Sequence, residues 1–264
     1  MRLFDFRLNI ARMLATLRDS GQRTATTLVH RKPLISIAMP LIADRRDFVA
    51  PGTYCARPDN NGRRHGFPTD TAYILADEAG NEYAFGPSCV RQLGYPVDLH
   101  GVPDFTARDG EPPSIGGHSG GGPGHGGDTG VDAAVRDLAI AKRYLLLRME
   151  KVANIPGIDA GVRYAPLDDI YQRYKRTREL TSDSVARIIA VDRSEKTPDR
   201  FRTNNLLDVY TADVQLTRQI DRATSDSARE FLTSVRSFLR TRLMLSPRQI
   251  EKAKLKLHRS AFGV

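Results

Sequence analysis

Apolar residues recur at three- and four-residue steps in several stretches of this chain, and this spacing predicts amphipathic helices. The first such stretch covers residues 2–19, and the half of the chain from 131 to 262 shows the same spacing repeatedly. Between them, residues 34–108 contain short runs of β-branched and aromatic residues, which are typical of strands. The pattern predicts the α+β class, with most helices in the C-terminal half.

The clearest strand signal is a hairpin. Residues 71–75 (TAYIL) and 82–85 (EYAF) flank the turn sequence 77–81, which contains Gly80. Two such runs around a glycine-bearing turn predict two antiparallel strands. The segment Gly86-Pro87-Ser88 follows, and a short helix is predicted over 89–93, ended by Gly94.

A glycine-rich tract divides the chain. Nine of the fifteen residues from 116 to 130 are glycine, a composition typical of a flexible linker. We therefore predict three parts: an α+β module over 1–109 that carries the hairpin and the N-terminal helix, a linker over 110–130, and an all-helical basic domain over 131–264. The tract also matches G-x-G-x-x-G at 122–127, but no strand precedes it, so a nucleotide site is not predicted.

The N-terminal helix over 2–19 is basic, and its role stays open between three alternatives. The first alternative is that the helix packs on the body of the protein. The second is that it binds a partner helix or an acidic surface, and the third is that it is an organellar transit peptide. Asp5 and Asp19 count against the last alternative, because transit peptides are poor in acidic residues.

Helix starts are marked in the last third of the chain. Ser227 with Glu230, and Ser246 with Gln249, have the spacing of capping boxes. The helix that follows the first box is predicted to bury one apolar stripe, made of Phe231, Val235, Phe238, Leu239 and Leu243.

Charge narrows the class of function. The formal net charge is +9 and the pI is near 9.8. The excess lies at the two ends of the chain, since residues 51–150 carry nine basic and thirteen acidic residues. A basic surface favours an anionic partner, and we predict nucleic acid, with DNA as the preferred form. The alternative is a structural or interaction protein that binds an acidic protein partner.

The predicted phosphate contacts lie in the C-terminal helices. From 227 to 264 there are nine Lys or Arg residues and two Glu residues. Lys252, Lys256 and Arg259 have the spacing of one helical face. In the preceding helix, Arg229, Arg236 and Arg240 fall outside the apolar stripe. The predicted nucleic-acid-binding residues are Arg229, Arg236, Arg240, Lys252, Lys256 and Arg259.

The two cysteines raise the question of a metal. Cys89 follows the hairpin at the predicted helix start, in the sequence Phe85-Gly86-Pro87-Ser88-Cys89-Val90, and Cys55 precedes the hairpin. From 55 to 94 this pattern resembles small treble-clef-like zinc modules of phage, plasmid and nucleic-acid-associated proteins. The resemblance implies zinc ligands at Cys55 and Cys89, with His65 and His100 as the nearest nitrogen donors.

The sequence itself favours no cofactor, with zinc as the alternative. Neither cysteine has a partner at CxxC spacing, and ligand number and spacing are what make zinc signals specific. Two ordinary thiols are therefore the preferred interpretation at this point. With the fold class and charge, the prediction is a nucleic-acid-associated protein of a phage or mobile element.

Other classes of protein are less well supported. The chain has no run of about 18 apolar residues, so no membrane partner is predicted. Two cysteines in 264 residues suit a reducing compartment, and a cytoplasmic location is expected. An enzyme is not predicted, because no catalytic motif is present; a Cys–His pair of Cys89 with His65 or His100 is the one arrangement that remains open.

Overall fold

The described part of the chain, in a computed structural model, comprises residues 40–99, 101–106, 130–158, 160–257 and 262. The predicted N-terminal helix and most of the predicted linker lie outside these residues. The α+β prediction is confirmed, because a three-stranded antiparallel sheet is followed by a set of helices. A helical C-terminal part is observed; its separate status as a basic domain stays a prediction.

The sheet has the order β1-β2-β3, with strands β1 Ile42–Phe48, β2 Thr71–Ala76 and β3 Glu82–Phe85. β2 and β3 pair as the predicted hairpin, from Tyr73 opposite Phe85 to Ala76 opposite Glu82. On the other side of β1, Arg46 pairs with the segment 103–105, since its N–H donates to the Pro103 carbonyl at 2.9 Å.

The described residues contain seven α-helices. α1 is the short helix after the hairpin, and it begins two residues before the predicted start. The helices are α1 Pro87–Arg91, α2 Gly130–Leu146, α3 Asp168–Thr177, α4 Ser182–Arg193, α5 Thr203–Arg222, α6 Asp226–Arg242 and α7 Pro247–Lys252. Within the parts of the chain that the structure describes, no helix combines the length and the apolar content of a membrane span.

One π-helical turn, Leu147–Lys151, continues α2, and the Val152 N–H donates to the Leu147 carbonyl at 2.9 Å. The wider turn buries the Arg148 side chain, whose Nε donates to the Val162 carbonyl at 3.0 Å. Its guanidinium lies 4.6 Å from the centre of the Tyr164 ring and 5.1 Å from that of Phe201. Aromatic faces and a carbonyl thus compensate this buried cation.

Asp47 of β1 joins the sheet to the helices. Its carboxylate is buried and accepts hydrogen bonds from Lys151 Nζ at 2.6 Å and from the Tyr210 hydroxyl of α5 at 2.9 Å. Arg218, also on α5, donates to the Val49 carbonyl at 2.7 Å. The sheet and the helices therefore pack on one another, while the division into two domains at 110–130 stays a prediction.

The predicted apolar stripe of α6 is partly wrong. Val235, Leu239 and Leu243 are buried as expected, but Phe231 and Phe238 are 37% and 42% exposed, and Leu232 is buried instead. The reason is the position of α5, which packs against α6 along the line of Leu232, Val235 and Leu239. The two phenylalanines lie about a quarter turn away from that line.

Helix α7 ends at Lys252, before two of the three cations that the sequence predicts on one face of it, Lys256 and Arg259. Lys254 has φ +52°, which ends the helix, and the residues that follow alternate between buried and exposed. Leu255 and Leu257 are buried while Lys254 and Lys256 are exposed. The helical spacing argument is therefore wrong for Lys256, and Arg259 lies outside the described residues.

The capping prediction is confirmed at α7 and wrong at α6. Ser246 accepts a hydrogen bond from the Gln249 N–H, and Gln249 Oε1 accepts from the Ser246 N–H, so the reciprocal box is formed. At α6 the cap is Ser225, which accepts from the Ala228 N–H at 3.3 Å. Ser227 lies inside the first turn and is exposed.

We expect Ser225→Ala to lower the free energy of unfolding by about 1 kcal/mol, because it leaves an N–H of the first turn of α6 without its acceptor. Ser227→Ala, two residues along, is the matched control and should change it by less than about 0.5 kcal/mol. Urea unfolding of both variants measures the difference. A larger loss for Ser227→Ala would show that α6 begins where its sequence predicts.

Proteolysis tests the linker. The composition of 116–130 predicts that subtilisin cuts the native chain between about residue 109 and residue 130. Since Asp47 is bonded to Lys151 and Tyr210, we expect the two fragments to stay together on a gel-filtration column and to separate only in denaturant. Protection of the tract would contradict the linker, and separate elution would contradict the packing of sheet on helices.

Candidate metal centre

Three of the four predicted metal ligands come together beside the sheet. One ligand atom from each of Cys55, His65 and Cys89 lies within 4.8 Å of the other two. His65 Nε2 and Cys89 Sγ are 3.3 Å apart. Both cysteines are buried and His65 is half-buried, so the donors face one another away from solvent.

The loop between β1 and β2 brings Cys55 and His65 together. The Cys55 N–H donates to the His65 carbonyl at 2.8 Å, and Tyr54 and Gly66 form a bridge next to this pair. The tip of the loop is closed by Asp59, whose side chain accepts from the N–H groups of residues 61 and 63. The ten-residue separation in sequence thus becomes direct cross-strand pairing.

The loop is attached to β3, which leads into α1. The Ala56 N–H donates to the Ala84 carbonyl at 2.8 Å. Two residues after Ala84, Gly86 precedes α1, and Pro87 occupies its first turn, where a missing N–H costs nothing. Cys89 therefore lies in the first turn of α1, and its side chain is turned toward the loop and His65.

The two sulfurs differ in their surroundings. Burial raises the pKa of the Cys55 thiol, the N–H groups of Gly86 and Arg57 lower it by donating to the sulfur, and Cys89 nearby raises it. The net effect raises the pKa of the Cys55 thiol above its ordinary value, because the two backbone donors only partly offset burial. A cation between the two sulfurs would remove their mutual repulsion and deprotonate both.

The donors fit zinc. Zinc is bound by cysteine and histidine at about 2.3 and 2.0–2.1 Å, so tetrahedral ligand atoms lie roughly 3.4–3.8 Å from one another. The distance of 3.3 Å between His65 Nε2 and Cys89 Sγ is close to this range, and all three ligand atoms lie within 4.8 Å of one another. The Nδ1 atom of His65 is buried and has no hydrogen-bond partner among the described residues. A ring nitrogen that is buried without a partner gains from a metal ligand bond or from a hydrogen bond that orients the ring.

The fourth ligand is not found in the described part of the chain. No further His, Cys, Asp or Glu among those residues joins the group. His100, the fourth predicted ligand, lies outside the described residues. Structural zinc takes four ligands, so either a residue outside the described ranges or a water molecule would complete the site.

Sequence spacing alone favours two ordinary thiols, because the group has no CxxC pair. The sequence does place Cys55 and His65 at similar separations from the loop tip, as expected of two residues that pair across a turn. Gly62 has φ +74° and allows that tight turn. The 3.3 Å contact also has the length of a Cys–His pair, and the Cys89 side chain is buried.

The predicted nucleic-acid-binding residues of α6 are engaged within the protein. Arg240 makes two hydrogen bonds to Asp213, at 2.8 and 3.2 Å, and this pair is largely buried. Arg236 donates to the Thr217 hydroxyl at 3.2 Å, and Arg229 forms an exposed ion pair with the first turn of its own helix.

The predicted nucleic-acid-binding residues of the C-terminal segment differ from those of α6 in their exposure. Lys252 and Lys256 are exposed, whereas Arg259 lies outside the described residues. The six predicted contacts are therefore not equivalent, and Arg240 is the least available of the five that the structure describes.

The chain has no significant match to a protein-family model, to a curated protein or to a solved structure.

Proposed function

We propose that this chain is a nucleic-acid-associated protein organised around a structural zinc ion, with Cys55, His65 and Cys89 as zinc ligands. The observation that carries the proposal is the convergence of these three donors, which come from two segments separated by the hairpin. Zinc with sulfur and nitrogen ligands would join the 54–66 loop to α1 by strong bonds.

The donor set selects the metal. Two sulfurs and one imidazole nitrogen suit zinc, while magnesium and calcium prefer oxygen ligands. The excess of positive charge supports the second half of the proposal, because a net charge of +9 attracts a polyanion over long range. Nucleic acid is the polyanion that fits a reducing compartment, and DNA is the form to test first.

Two measurements test the proposal. Protein purified without chelators should contain about one zinc per chain by elemental analysis. A labelled 20-base-pair duplex of arbitrary sequence should bind, and its affinity should fall steeply and linearly on a log–log plot against salt concentration. Absence of zinc would remove the structural half of the proposal, and absence of DNA binding would remove the other.

An acidic protein partner is the second candidate, and one observation favours it. Phe231 and Phe238 lie seven residues apart on one side of α6, and both are exposed. Exposed aromatic residues on a helix that also carries arginines are typical of protein interfaces. For this candidate we expect weak DNA binding, and Phe231→Ala with Phe238→Ala would reduce binding to a polyglutamate-rich peptide while DNA binding stays unchanged.

A further inference from the structure

We infer that the exposed arginines around the metal centre, Arg63, Arg64 and Arg91, form the surface that contacts the phosphate backbone of nucleic acid. This inference rests on the proposed function and assigns it to a particular surface. The assigned surface differs from the one that helical spacing predicts at the C-terminal end.

The metal centre gathers these arginines because each is close in sequence to a ligand. Arg64 is next to His65, and Arg91 is two residues after Cys89. Two residues span at most about 7 Å, so the α-carbons of these arginines lie within that distance of the α-carbons of the ligands. Since the ligand atoms lie within 4.8 Å of one another, two distant segments place their arginines around one point.

A contact on the outside of the centre fastens the two segments. Arg57, two residues after Cys55, donates a hydrogen bond to the side chain of Gln92, which directly follows α1. This bond holds the Cys55 side of the loop against the end of the helix that carries Arg91. The relative positions of Arg64 and Arg91 are therefore held on both sides of the centre.

The local charge is strongly positive. The loop 54–66 and the segment 87–92 together contain four arginines and one acidic residue, Asp59. The Asp59 carboxylate closes the loop tip through backbone N–H groups at 2.9 and 2.7 Å. Arg63, Arg64 and Arg91 are all exposed, and neither Arg63 nor Arg91 forms an ion pair with another described residue. Arg63 and Arg91 therefore offer exposed guanidinium groups to an anion, and Arg64 adds an exposed cationic side chain next to His65.

Phosphate is the ligand that this chemistry favours. Guanidinium groups bind phosphate oxygens through two parallel hydrogen bonds, and several of them along one surface match the repeated charge of a nucleic-acid strand. The α6 arginines are less available to phosphate, because Arg240 is already bonded to Asp213 and Arg236 to Thr217. The occupant to which we commit is the sugar–phosphate backbone, without base recognition.

The experiment compares two triple variants of the full chain, both purified with zinc. The first replaces the arginines at the metal centre (Arg63→Ala, Arg64→Ala, Arg91→Ala). The second replaces the C-terminal cations predicted from sequence (Lys252→Ala, Lys256→Ala, Arg259→Ala). Binding of a labelled duplex is measured over a range of salt concentrations, and zinc content and thermal unfolding verify that each variant is folded.

We expect the metal-centre variant to keep its zinc and to lose affinity for duplexes of any sequence. The slope of log affinity against log salt should fall by about 0.9 for each lost phosphate contact, hence by about 2.7. The C-terminal variant should keep most of its affinity for the duplex and most of the slope of log affinity against log salt. Removing zinc with a chelator should weaken the wild-type protein and have little further effect on the metal-centre variant, because the same contacts are lost.

The opposite ranking overturns the inference. If the metal-centre variant binds like the wild type and the C-terminal variant does not, phosphate is bound at the C-terminal end, and the proposed function stands without this surface. If the wild-type protein binds no duplex at all, the proposed function itself fails. Individual variants at Arg63 and Arg91 replace the triple variant if it does not fold.

Discussion

Replacing Cys55 with serine should abolish zinc binding and lower the free energy of unfolding by at least about 4 kcal/mol, since loss of a structural metal is among the most destabilising single changes. Serine keeps the size of the side chain but offers no thiolate. Only two protein ligands, His65 and Cys89, would then remain among the described residues, too few to hold zinc against a chelator.

The loss should be local as well as large. Hydrogen exchange should accelerate most in the 54–66 loop and in α1, and less in the buried helix α5, because its core is built from other residues. Cys89→Ser should behave in the same way. The control is Ser88→Ala, an exposed neighbour of Cys89, which should keep one zinc per chain. Zinc retained in both cysteine variants would contradict the assignment of the ligands.

Asp47→Ala should cost roughly 3–5 kcal/mol, the second largest effect that the structure predicts. The Asp47 carboxylate is buried and accepts four hydrogen bonds. Its removal leaves the Lys151 ammonium, 13% exposed at the side chain, without the partner that lies 2.6 Å away. Three further donors also lose their acceptor, namely Arg45 Nε, the Tyr210 hydroxyl and the Phe48 N–H.

The double variant Asp47→Ala with Lys151→Met separates the pair from its surroundings. It should recover part of the lost stability, because it also removes a largely buried cation that has lost its closest partner. The matched control is Asp226→Ala, whose carboxylate is 92% exposed and pairs with Arg229, and it should cost about 1 kcal/mol or less. Urea unfolding of the wild type, both single variants (Asp47→Ala and Lys151→Met), the double variant and the control measures the coupling. A loss for Asp47→Ala no larger than that for Asp226→Ala would contradict the buried network.

The hairpin and the α7 cap could be predicted from sequence because their determinants are local. The turn at 77–81 lies between runs of strand-forming residues, and the Ser246–Gln249 box is complete within four residues. Neither depends on a distant part of the chain. The α+β class follows from the same local patterns.

The wrong predictions concern positions that a distant partner decides. The face that α6 buries depends on where α5 lies, so Phe231 could not be told from Leu232 by spacing alone. The end of α7 at Lys252 had a signal, since the residues after it alternate between apolar and lysine as in an extended chain. Spacing does not show that Cys55, His65 and Cys89 converge, because Cys55 meets His65 through backbone pairing and Cys89 reaches His65 through the hairpin.

The pairing of Ala56 with Ala84 has a consequence for self-association. Unpaired strand edges are templates on which protein chains aggregate, and here residues 103–105 cover part of one edge of the sheet while Ala56 covers part of the other. Ala56 follows Cys55 directly, so the residue that protects β3 lies beside one of the proposed zinc ligands. Loss of zinc would uncover this edge, and aggregates of the metal-free protein should therefore grow by strand addition at β3.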